Sequence, residues 1–173
     1  MRWIILLLAL SACVAGQERG PEFLTPKDPT HTILYYPGPG IDLEVAQDGA
    51  EKLLGLGVEL LPTSDLTEAQ IRLRFIHCTY EPMGKIYLAV TYNCGDIETC
   101  SQYPQEAFTY AHEIGHAVGM GHIDEPGIMY PDPNNVPNFT TSDLEEFEKR
   151  DETGSVWDPV CADYWKSPFR RID

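Results

Sequence analysis

Positive charge is scarce in this chain. Lys and Arg together number 12 against 27 Asp and Glu, a formal net charge of -15. So acidic a chain repels polyanions, which excludes nucleic acid and an anionic membrane surface as expected partners. Long apolar runs are missing too. Beyond the N-terminus no stretch reaches about 18 apolar residues, so no internal membrane-spanning helix is expected. The five cysteines do not form paired short hooks, which argues against a cysteine-held zinc module. No internal repeat is present, and histidine is rare, at five in 173 residues. What remains is ordinary globular material: 43% hydrophobic, 23% charged, with 14 Gly and 14 Pro. That composition fits one domain with its own core and many turns, and it is too apolar for disorder.

The N-terminus is the exception to the missing apolar runs. Residues 1–16, MRWIILLLALSACVAG, carry one positive residue, an apolar run from Trp3 to Leu10, and then small residues. The run is too short to span a bilayer and reads as a secretory signal. Two processing routes stay open. LSAC resembles a lipobox, with cleavage before Cys13 and a lipid on that cysteine; the other route is cleavage after Gly16. Either makes the protein an exported one, extracellular or in the cell envelope, with a membrane contact only through Cys13. Residues 17–30, QERGPEFLTPKDPT, read as a linker. Cys78, Cys94, Cys100 and Cys161 then form an even set in an exported chain, and two disulfides are expected, with the pairing open among three connectivities. A monomer is expected.

From residue 31 the pattern alternates strand and helix. HTILYY (31–36) reads as a strand stopped by PGPG. Leu43, Ala46, Ala50, Leu53 and Leu54 fall at helical spacing within 41–57, and Gly55 and Gly57 end that run. VELL, IRLRFIHC (71–78) and IYLAVTYNC (86–94) read as strands, and 94–103 as a loop. A helix is expected from about Pro104 to Gly119, with Glu106 in its first turn. The last helix, in TTSDLEEFEKRD, shows Ser142 and Glu145 at capping-box spacing. The tail 154–173 is aromatic and is expected to pack back on the domain 31–153, anchored by Cys161. The fold class is α+β, α/β-like, with one twisted sheet.

Three of the five histidines and one glutamate lie in HEIGHAVGMGH, residues 112–122. On a helix, residues four apart are offset by only about 40°. His112 and His116 therefore project from one face and can share a metal, and Glu113 flanks that face. A continued helix would carry His122 about 240° round the axis from His116. The chain has to break first, and Gly119 stands where a left-handed cap needs no Cβ. Three neutral imidazoles suit one zinc ion and leave a coordination position for water. Zinc lowers the pKa of such a water toward about 7, and Glu113 would take its proton as it attacks a polarised carbonyl. That chemistry is amide hydrolysis.

The run matches HExxHxxGxxH, the zinc-binding consensus of the metzincins, and the chain resembles that family. Downstream, Met129 in GIMYP is similar to the Met-turn of the matrixins, the matrix-metalloproteinase branch. The likeness extends over residues 31–150 and is motif-grade over 104–131. It implies a metzincin zincin fold: a twisted, mostly parallel sheet of about five strands, an active-site helix and a C-terminal helix. It implies a zinc metalloendopeptidase acting on protein or peptide, in which His112, His116 and His122 bind the metal, Glu113 is the general base, and Met129 supports the site without being a ligand. It places Tyr130 and Pro131 along the S1′ side of the cleft, and Phe108 where a bulky ring makes that pocket shallow, although plain helix packing is an equal reading for Phe108.

The sequence also departs from the matrixin pattern. Ile123 follows the third histidine where matrixins usually have serine. Only His31 and His77 remain for a second zinc, so one zinc is expected. No cysteine-switch motif precedes Thr32. Calcium stays possible in principle but no ligands are identifiable; Asp96, Glu98, Asp124 and Glu125 read as solvated loop acids. His77, at a strand end, reads as structural. Two further functions stay open: a surface protein that holds zinc without cleaving, and an amidase acting on cell-wall peptide.

Overall fold

The computed structural model describes residues 31–78, 88–131, 139–150 and 153–161. The expected signal, linker and far tail lie outside these residues. The strands are β1 His31–Pro37, β2 Val58–Pro62, β3 Ile71–Ile76, β4 Ala89–Tyr92 and β5 Asp96–Cys100. The helices are α1 Leu43–Glu51, α2 Ala107–Ala117 and α3 Thr141–Lys149. The five strands form one sheet in the order β2-β1-β3-β5-β4. Every pairing is parallel except β4 with β5. The α/β reading with a mostly parallel sheet therefore holds. β4 is an edge strand running against the rest.

Alternation explains the sheet's two faces. Ile33 and Tyr35 of β1, Ile71 and Leu73 of β3, and Ile97 of β5 point into the core and are almost wholly buried. On the opposite face Arg74 grips Asp96 through two parallel N–H···O bonds, at 3.0 and 2.7 Å, and also pairs with Glu98. Asp42 caps α1 by accepting from the Glu44 and Val45 amides. The buried face of α1 is Ala46, Gly49 and Ala50, small because α2 lies close. A Cβ on Gly49 would stand 2.6 Å from the Ala107 carbonyl oxygen.

Four local readings are corrected. The stretch 94–103 is not a loop: Asn93–Gly95 is a tight turn and β5 follows. Asp96 and Glu98 are therefore strand residues paired to Arg74, and Asp96 is only 7% exposed. α2 begins at Ala107, leaving Pro104 and Glu106 outside, with Glu106 extended at the N-cap. The α helix of 41–57 ends at Glu51 and tightens into a 3-10 turn over Lys52–Leu56; Leu43 is 46% exposed. The capping box of α3 is Thr140 with Asp143, not Ser142 with Glu145. Asp143 wins because its carboxylate also serves a neighbouring turn, described below.

The disulfides are Cys78–Cys100 and Cys94–Cys161. Both suit an oxidising compartment. The second ties residues 153–161 to the start of β5, and Trp157 packs its ring on Phe147 and His31.

Candidate active site

α2 places His112 and His116 on one face, and His122 returns to them from beyond the helix end. The reversal is a Schellman motif: the Met120 amide donates to the Gly115 carbonyl and the Gly119 amide to the His116 carbonyl. Gly119 holds φ +91°, the left-handed value that this cap requires. Gly121, two residues on, meets α3. It is a point of close approach, with its amide donating to Glu146 Oε1 of α3 at 3.0 Å.

The three Nε2 atoms form a near-equilateral triangle with sides of 3.2, 3.2 and 3.3 Å. The other ring nitrogens face carbonyls: His112 Nδ1 lies 2.6 Å from the Ile128 oxygen and His116 Nδ1 lies 2.9 Å from the Met120 oxygen. A carbonyl only accepts, so Nδ1 carries the proton in both rings and Nε2 presents a lone pair. The triad thus turns lone pairs on one another at short range, which is repulsive without a cation between them. Tetrahedral zinc with Zn–N bonds of about 2.0–2.1 Å separates neighbouring nitrogens by about 3.3–3.4 Å. The residues fit zinc. Among the described residues this is the one group of three or more potential ligands close enough to share an ion. His31 and His77 lie elsewhere, the latter beside Gln102.

Burial suits neutral ligands. Desolvation lowers the His112 pKa to about 4, and it also lowers those of His116 and His122. Glu113 is 7% exposed. Desolvation raises its pKa to about 7, against the lowering effect of a hydrogen bond from Thr91.

A second layer holds the histidines. Asp143, fully buried at the start of α3, accepts from the Ile128 and Met129 amides at 3.0 and 2.9 Å and from Thr140. The Ile128 peptide thus joins Asp143 on one side to His112 on the other. Met129 is fully buried beneath α2, and a Cβ on Gly115 would overlap its sulfur. Asp143, Glu146 and Thr91 do not stand out as site residues along the sequence. Asp143 had a signal, the Thr-x-x-Asp spacing before a helix. Thr91 had none, because its partner is remote in the chain.

The triad opens into a cavity of about 870 Å³. Glu113, Phe108, Tyr130 and Pro131 line it. Phe108 stacks on His112 at a centroid distance of 6.1 Å. β4 forms one wall, and Thr153, Gly154 and Ser155 close another stretch. Asp124 and Glu125 are exposed and stand apart from this cavity's lining, with Glu125 accepting from Ser142.

No protein-family model matches the chain, and no curated protein matches it. Among solved structures, the zinc-dependent peptidase from Methanocorpusculum labreanum (strain Z) is similar at 15% identity, over 77% of this chain and 99% of that chain, with a TM-score of 0.38. A likeness that distant carries no argument about this chain's chemistry, which rests on its own residues.

Proposed function

We infer that the protein is a zinc metalloendopeptidase of metzincin type, and that its matrixin-like motif marks the working site. The observation that carries this reading is the Nε2 triangle of His112, His116 and His122 beside a buried glutamate in an open cavity. Bound by the three imidazoles, zinc supplies a Lewis acid that polarises a carbonyl and acidifies water. Glu113 takes a proton from the attacking water and returns it to the leaving amine. Burial serves that role, because a carboxyl pKa near 7 lets it both accept and release a proton near neutral pH.

The wall made by β4 favours a peptide substrate. An edge strand presents unpaired backbone groups, and an extended chain can add to it as a further strand. Met129 supports the ligand helix from below. Tyr130, Pro131 and Phe108 line the cavity, which is compatible with the S1′-side roles that the matrixin resemblance implies for them. A protein that merely stored zinc would not need a glutamate buried against the metal at the cost of its desolvation.

The test pairs native mass spectrometry with cleavage profiling. The purified, disulfide-intact protein is expected to carry one zinc and to cut internal bonds in a diverse peptide library. A zinc-loaded protein that cuts no peptide but releases fragments from cell-wall peptide would move the reading to an amidase. One that cuts neither would leave a zinc-holding surface protein.

A further inference from the structure

Thr91 lies outside the metal motif, on the edge strand. Its Oγ1 stands 2.5 Å from Glu113 Oε2 and 2.8 Å from the backbone carbonyl of the same residue. The hydroxyl therefore lies within hydrogen-bond distance of both ends of Glu113, with one proton to share between the two oxygens. A glutamate in a helix has three side-chain torsions to fix before its carboxylate has a defined place. This contact fixes them by tying the carboxylate back toward the residue's own peptide. Thr91 is itself held, since β4 pairs with β5 and places Thr91 opposite Ile97, which is fully buried. Among the described residues no other group hydrogen-bonds the Glu113 carboxylate.

We propose that Thr91 is a positioning residue for the reaction: its hydroxyl sets the carboxylate of Glu113 against the metal triad and ties the general base to the wall that receives substrate. The inference deepens the peptidase reading and rests on it for its kinetic consequence. A buried carboxylate without a donor loses most of what offsets its desolvation and seeks another rotamer or a water. Valine at 91 keeps the volume and the β-branching of threonine and removes only the hydroxyl. Serine keeps the hydroxyl.

The experiment compares zinc-loaded wild type, Thr91→Val, Thr91→Ala and Thr91→Ser. On a peptide whose cleavage requires Glu113, Thr91→Val is expected to lower kcat roughly ten- to a hundredfold, the scale of a misplaced catalytic group, while leaving KM within about twofold. Thr91→Ser should stay within about threefold of wild type. Zinc content should be equal in all four. Thr91→Ala covers the case in which valine disturbs the strand. A kcat for the hydroxyl-free variants within about twofold of wild type, or a serine variant as slow as the valine one, overturns the proposal.

Crystal structures of the zinc-loaded forms decide the geometry without activity. The Glu113 carboxylate should keep one orientation in wild type and Thr91→Ser and lose it in Thr91→Val. An unchanged carboxylate in Thr91→Val also overturns the proposal. If wild type cleaves nothing, the peptidase reading fails, and the crystallographic comparison still answers for Thr91.

Discussion

The cavity has two sides, and they are held by different forces. On one side α2, the turn 127–130 and α3 hold the histidines through a hydrogen-bonded network: Gly119 turning the chain, Asp143 on Ile128 and Met129, Glu146 on Gly121; the Glu113 carboxylate takes its hydrogen bond from Thr91 of the other side. On the other side β4, the turn Asn93–Gly95 and residues 153–155 form walls. Sheet register and one disulfide, Cys94–Cys161, with 67 residues of sequence separation, bring those segments together. The Cys94 amide also donates to the Gly154 carbonyl, and the Val156 amide to the Ala117 carbonyl at the end of α2. In the proposed function the first side binds the metal, and the second shapes access to it and positions Glu113 through Thr91. Changes on the first side should therefore move zinc, and changes on the second should move stability or turnover while zinc stays.

The largest effect falls on the first side. His116→Ala removes one of the three proposed ligands, and zinc content measured after gel filtration should drop from one equivalent to near zero, taking peptide cleavage with it. Both disulfides should remain. A variant that keeps its zinc would break the assignment of the triad.

The second side answers with stability. Replacing Cys94 and Cys161 together by serine releases a long loop and should cost about 4 kcal/mol of unfolding free energy in urea. The folded fraction should still bind one zinc. Loss of zinc in that fraction would mean that the two sides are one unit.

Asp143→Ala tests the layer between them. Two amides and the Thr140 groups lose their acceptor. Stability should fall by about 2–4 kcal/mol, and zinc affinity by about 10- to 100-fold, the scale for an outer-shell partner. Chelator competition reads the second number directly. Unchanged affinity would confine Asp143 to capping α3.

The two sides differ in how far sequence exposes them. The ligand spacing of 112–122 and the need for a helix stop at Gly119 are local, and the structure has both. Strand β5 is the opposite case. CGDIETC carries two acids and a glycine and resembles a loop, because its acids are neutralised by Arg74 from another strand. No window along the chain contains that pairing. α3 shows a milder form of the difficulty. Several residues of TTSDLEEFE can cap, and the choice of Thr140 with Asp143 is made by the turn at Ile128 and Met129, which also needs the carboxylate. Thr91 is invisible for the same reason: its contact with Glu113 exists only once β4 lies over α2.

The smallest effect concerns pH in the zinc-free protein. His112 has a pKa of about 4 when folded against 6.5 as a free side chain. Between those values the unfolded chain binds a proton that the folded chain refuses, so stability falls as pH drops from 6.5 toward 4. Glu113, at about 7 folded against 4.5, works in the opposite sense, because the folded chain holds the extra proton between 4.5 and 7. The two slopes oppose each other from 4.5 to 6.5. Glu113→Gln removes the second, so urea midpoints of its zinc-free form should fall more steeply on acidification, by up to about 1.4 kcal/mol per pH unit. Parallel profiles would mean that Glu113 does not hold its proton in the folded state.

The central claim is that a zinc held by three imidazoles works through Glu113. The most direct measurement is kcat/KM for one cleaved peptide, taken on wild type and Glu113→Ala with zinc quantified in the same samples. The account predicts equal zinc and a loss of about a thousandfold or more in the variant. Equal zinc with equal rates would contradict it.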